Sequence, residues 1–168
     1  MDQGIELAKL AQHVDGNCRW LTYLGDIEAG KISADVHLAV FTEPYLTFVL
    51  EGLKTVESRF SRVRCAPYHQ VRPGDIILVK QSGGPVRAIT QAAETSYFDF
   101  GSDCLEKVRS TYGQGICADD EFWEMQKSAL FATVIELTHT ISIDPLDIPK
   151  RDRRGWVPLD CRQRSFGF

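Results

Sequence analysis

Near the start of the chain apolar residues recur every three or four positions, and further along they give way to short alternating or continuous runs. Leu7, Leu10 and Ala11 share one stripe within residues 4–13, and Trp20, Tyr23, Leu24 and Ile27 share another within 18–31, which predicts two helices. Asp15-Gly16-Asn17 between them is a turn signal, and Gly30 suits the stop of the second. From Val36 the period changes to two: Val36, Leu38, Val40 and Thr42 fall on one face of the segment VHLAVFT, 36–42, a predicted strand. Thr42 then suits the cap of a short helix with Glu43 and Pro44 in its first turn, a buried stripe of Tyr45, Phe48 and Val49, and Gly52 as its left-handed stop. The extended segment TVESRF follows.

In RPGDIILVK, 72–80, a Pro-Gly-Asp turn leads into a continuous apolar run, the mark of a buried strand. Ser82-Gly83-Gly84-Pro85 turns it into VRAITQAAE, a second strand paired with the first. Residues 103–110 and 119–127 read as short helices around the Gly-rich link TYGQG, and LFATVIELT, 130–138, alternates like a strand. The Pro-containing stretch ISIDPLDIPK reads as a connection, ahead of the basic cluster RDRR and a last apolar strand, GWVPL, 155–159. Many short strands with a few helices predict an α+β domain on a small barrel, 36–168, with flanking helices and an N-terminal helical extension, 1–35.

A chain of 168 residues buries roughly two-thirds of its unfolded surface, enough for one core without disulfides. Its apolar runs fall short of the roughly 20 residues of a membrane span, and MDQGIELAK lacks the pattern of a signal peptide. The expectation is a soluble, cytoplasmic protein. The five cysteines are scattered and never form C-x-x-C, and the four histidines share no helix face, so neither a metal site nor a cofactor is expected. A net charge of −4 argues against a general nucleic-acid coat protein. Its distribution says more, because residues 54–87 hold seven Lys and Arg against Glu57 and Asp75, and 150–164 hold six against Asp152 and Asp160. Brought together, these segments would form a positive face for a localised anionic ligand.

The run Gly52-Leu53-Lys54-Thr55-Val56-Glu57-Ser58-Arg59 fits the pattern G-x-K-x-x-E-x-R. After an apolar strand and a short helix, and ahead of a P-G-D turn, it resembles the signature of ASCH domains, small β-barrels of the PUA-like superfamily. The resemblance spans 36 to about 160, with RRGWVPL similar to the family's closing strand. It implies a cleft that binds RNA or a nucleoside, modified or not.

On an extended segment Thr55, Glu57 and Arg59 share a face and Ser58 points away, while Lys54 stands at the bend that Gly52 makes. A carboxylate accepts from an exocyclic amine, and Lys or Arg binds a phosphate or carbonyl oxygen. Tyr45 and Tyr68, with His69, are candidate stacking partners for a base, Arg62 and Arg64 candidate phosphate contacts, and Lys80 and Ser82 candidate ligand contacts at the end of the IILVK strand. Some ASCH-related proteins are amidohydrolases acting on N4-acetylcytidine, in which the lysine activates a threonine two residues before the arginine. Lys54 and Arg59 match that pattern, but Glu57 stands at the threonine's place. For single-strand RNA cleavage, Lys54 and Glu57 are the candidate base and acid. Three classes therefore stand in order: binding of a nucleoside or RNA, hydrolysis in the same cleft, and a protein-interaction adaptor working through an apolar patch of Trp20 and Tyr23 on the N-terminal helices.

Overall fold

The computed structural model describes residues 4–161; Arg162 and Arg164 of the second basic segment lie outside them. Seven strands form one sheet in the order β1-β7-β2-β4-β5-β6-β3, and the six longer ones curl into a half-barrel. In chain order these are β1 (Gly4–Ile5), β2 (Val36–Phe41), β3 (Val56–Ser61), β4 (Ile76–Gln81), β5 (Val86–Asp99), β6 (Phe131–Leu146) and β7 (Trp156–Cys161). Five helices accompany them: α1 (Leu7–His13), α2 (Cys18–Glu28), α3 (Tyr45–Leu50), α4 (Leu105–Ile116) and α5 (Asp120–Met125). No described helix is long and apolar enough to cross a membrane.

The continuous run Ile76-Ile77-Leu78-Val79 is buried on both faces of the sheet, as a central strand requires. Ile76 and Leu78 pack with Leu10, Trp20 and Leu24 of α1 and α2, whereas Ile77 and Val79 pack with Leu46 and Val49 of α3 and with Trp156. A third cluster, Val56, Val108, Ile116, Trp123 and Val134, sets α4 and α5 against β3 and β6. The N-terminal helices thus share the core of the barrel. Trp20 is buried, its indole N–H donating to His139 O at 2.9 Å, and Tyr23 donates to Gly74 O at 2.5 Å, so neither forms an outward apolar patch.

Four local readings change. Residues 4–5 pair with β7 instead of opening a helix, whereas α2 starts at Cys18 as expected, with the Asn17 side chain accepting from the Trp20 amide at 3.0 Å. At α3 the cap is Pro44 rather than Thr42, and the buried stripe is Leu46 and Val49, which leaves Tyr45 half-buried. The segment TYGQG is the last part of α4, not a link. Strand β6 runs through ISIDPL to Leu146, paired with an equally extended β5 and interrupted by bulges that bend the pair.

Candidate functional site

Strand β3 is an edge strand, hydrogen-bonded only to β6, and its free side faces the far ends of β2 and β7. Arg59 crosses this seam. Its Nε donates to Glu57 Oε1 at 2.9 Å, one terminal nitrogen donates to Val40 O at 2.8 Å, and the other donates to Gly155 O at 3.2 Å. The guanidinium also lies 5.3 Å from the ring centre of Phe41 and 5.4 Å from that of Trp156, within cation–π range.

Beside the seam lies a cavity of about 250 Å³. Gly52, at φ 76°, ends α3; its amide donates to Val49 O and the next two amides both donate to Phe48 O, which turns the chain straight into β3. That turn buries Lys54, which is 5% exposed. Its ammonium donates to Val56 O at 2.8 Å and Ile116 O at 2.9 Å, lies 3.7 Å from Glu57 Oε2, and sits 5.5 Å from the Tyr45 ring centre. Glu57 is equally buried, and its Oε2 has no hydrogen-bond donor among the described residues. Burial lowers the Lys54 pKa, Glu57 opposes the shift, and Arg59 adds to it. Burial, together with the negative charges of Asp119 and Glu57, raises that of Tyr45.

Of the residues singled out in the sequence, Tyr45, Lys54, Glu57 and Arg59 meet at this cavity. Gly52 shapes the turn beneath it. Thr55 is exposed and does not line it; its amide and carbonyl bond Gly115 and Leu137. Ser58, expected to point away, does line it, because the cavity runs along the free edge of β3, which both faces of the strand border. Arg62 is exposed beyond the end of β3, and Tyr68 lines a separate, adjoining cavity. Lys80 is buried elsewhere, donating to the turn carbonyls of Gln81 and Gly84 at 3.2 and 2.5 Å, and Ser82 is exposed in that turn, its amide donating to Phe41 O. What the sequence did not reveal is the far wall, Ile116 of α4, Phe122 of α5 and Gln126. The described residues hold no cluster of His, Cys, Asp and Glu arranged for a metal.

No protein-family model matches the sequence, and no curated protein matches it. Among solved structures the fold matches the crystal structure of ASCH from Zymomonas mobilis at 15% identity, with 67% of this chain and 73% of that chain covered and a TM-score of 0.55. A serine-to-alanine variant of that protein gives 14% identity, 74% and 88% coverage and a TM-score of 0.60. Its tyrosine-to-phenylalanine variant gives 16%, 67% and 76%, and 0.54. The chain has the ASCH fold. Its half-barrel matches the barrel of those proteins, and the G-x-K-x-x-E-x-R run occupies the turn after α3 and the edge strand β3. At these identities the likeness concerns the fold.

Proposed function

We propose that the cavity binds one nucleoside, free or exposed in single-stranded RNA. The observation that carries this reading is Glu57 Oε2, a buried carboxylate oxygen that has the Lys54 ammonium 3.7 Å away but no donor within hydrogen-bond distance among the described residues, on a side chain that lines an aromatic-walled cavity. An unsatisfied buried acceptor costs about 1–3 kcal/mol, which a donor from a ligand offsets. The exocyclic amine of cytosine or adenine is such a donor, with the Lys54 ammonium beside it for a neighbouring carbonyl or ring acceptor. Tyr45, Phe60 and Phe122 offer π faces to a base, each stack contributing about 1–3 kcal/mol. A volume of about 250 Å³ lies below the usual range of ligand pockets, which suits a single nucleoside.

Hydrolysis in the same cavity is the second reading, favoured by the lowered Lys54 pKa and by Ser58 among the residues that line the cavity. A lysine below its ordinary value is a better general base near neutral pH.

The test is calorimetric titration with cytidine, adenosine, uridine, guanosine and N4-acetylcytidine, against the parent protein, Glu57→Gln and Lys54→Ala, with products followed by mass spectrometry. Binding that prefers cytidine and adenosine over uridine, and loses that preference in Glu57→Gln, supports the binding reading. Lys54-dependent product would move the protein to the hydrolase reading. Absence of both overturns the two together.

A further inference from the structure

A second cavity, of about 180 Å³, adjoins the first across Arg59 and Phe60, which line both. Its remaining walls come from Ser61 and the loop after β3, with Cys65 and Tyr68, from Ala132 and Thr133 of β6, and from Gly155 and Trp156 where the chain enters β7. Nothing in the nucleoside reading uses this space.

Two basic stretches far apart in sequence meet here. The first loop carries Arg62 and Arg64, and the segment leading into Gly155 carries Lys150, Arg151, Arg153 and Arg154. Gly155 and Cys65 share the cavity wall. Arg154 is close enough to Cys65 for the thiol to add slightly to the raised pKa that Asp152 chiefly causes. The described counter-charges are few: Asp152 pairs with Arg154, Asp99 with Arg64 at 3.7 Å, and Glu57 with Arg59. Arg62, Arg151 and Arg153 are exposed and have no carboxylate partner among the described residues. Arg59 is the one cation among the described residues of the cavity wall; Arg62 and Arg64 lie between the wall residues Ser61 and Cys65, and Arg153 lies two residues before Gly155, so these exposed arginines stand at the rim, where they favour an anion. A phosphate fits, since guanidinium groups bind its oxygens in a fork.

We propose that the second cavity is a phosphate site, taking the phosphate of a nucleotide whose base occupies the first, with Arg62 and Arg153 as its principal free cations. The identity of the occupant rests on the nucleoside reading; the anion preference of the cavity does not.

The experiment titrates the whole protein, at low and at raised salt, with a nucleoside, its 5′- and 3′-monophosphates, and ribose 5-phosphate, which has the phosphate and no base. One monophosphate should bind about tenfold tighter than the nucleoside, the scale of one charge-assisted hydrogen bond. Salt should erode that advantage. The exposed-site variant Arg62→Ala/Arg153→Ala should abolish it and leave nucleoside affinity unchanged. Equal affinity for nucleoside and both monophosphates would overturn the phosphate site and leave the nucleoside reading standing. Arginine-dependent binding of ribose 5-phosphate without nucleoside binding would uphold the site alone, and binding of neither probe would overturn both.

Discussion

The indole N–H of Trp156 donates to Nδ1 of His37 at 3.1 Å, and Nε2 of the same ring lies 2.9 Å from Asp75 Oδ2. An indole nitrogen only donates, so Nδ1 accepts and the ring proton sits on Nε2, aimed at Asp75. All three side chains are buried. Asp75 also accepts the amides of Asp35 and Arg72, each at 3.0 Å. Burial works against ionisation of Asp75, but the hydrogen bonds from His37 and the two amides outweigh it, and its pKa is lowered from 3.8. A carboxylate held below its unfolded value adds stability that is complete above about pH 4 and is lost as the pH falls through the folded value. Asp75→Asn should therefore be less stable than the parent by about 1.5–3 kcal/mol at pH 7, the worth of hydrogen bonds to a charged group. Urea unfolding at pH 7 and pH 3 checks this. A gap between the proteins that fails to narrow in acid would refute it.

Arg59 ties β3 to β2 and to Gly155 just ahead of β7 with three separate donors, and lysine, a single point charge, cannot reach the same acceptors in the same directions. Arg59→Lys should cost about 1–3 kcal/mol, since carbonyls at the seam lose their partners. The loss should be local as well. Amide exchange at Val40, which donates to Gly155 O, should quicken more than exchange at Ile77 in the centre of the sheet. Equal protection at Val40 in the two proteins would show that the seam holds without the guanidinium.

Gly115 lies where α4 touches β3. A Cβ there would come within 2.5 Å of Val56 Cγ2 and 2.9 Å of Thr55 Oγ1, so Gly115→Ala must push the helix away and take the neighbouring Ile116 carbonyl from Lys54. The expected cost is about 1–3 kcal/mol, as for other overpacked sites. Gly113 is the control, because a Cβ there meets nothing nearer than Arg109 Cγ at 3.6 Å. Gly113→Ala should stabilise the helix by up to about 1 kcal/mol. Thermal unfolding of the two variants should move in opposite directions from the parent.

These glycines also explain where the sequence was hard to read. Two glycines within four residues look like a link because each costs a helix about 1 kcal/mol; the contact with Val56 that makes one of them necessary joins elements some sixty residues apart. Periodicity, being local, found six of the seven strands and the five helices, though neither β1 nor the far half of β6, and the G-x-K-x-x-E-x-R spacing brought out Lys54, Glu57 and Arg59, which do meet. The wall built from Ile116, Phe122 and Gln126 had no such signal, since ordinary helical residues acquire that position only by packing. That Ser58 lines the cavity, although it alternates with Glu57 along the strand, has a related reason. Alternation fixes the faces of a strand, but an edge strand beside a cavity borders it with both. Lys80 shows the same limit: its inward position looked like a ligand contact, and the turn carbonyls of Gln81 and Gly84 take its protons.

Lys54 serves both stability and function. Lys54→Met takes a donor from Val56 O and Ile116 O but leaves Glu57 paired with Arg59, so it should cost only about 1–3 kcal/mol while losing nucleoside binding. Lys54→Met/Glu57→Leu, which also strips Arg59 of its carboxylate, should recover none of that. The pH dependence has a definite sign. Burial lowers the Lys54 pKa below its ordinary 10.5, so between the lowered value and 10.5 the unfolded chain holds the proton more firmly than the folded one. Within that interval rising pH favours the folded state. The difference in unfolding free energy between parent and Lys54→Met should accordingly shift towards the parent as the pH is raised from 7 through that interval. Paired urea titrations would measure it. A difference that stays flat with pH, or moves towards the variant, would mean that the ammonium is not held out of water by the turn after Gly52 and the wall of α4, and that the cavity floor lacks the charge arrangement on which nucleoside binding is argued.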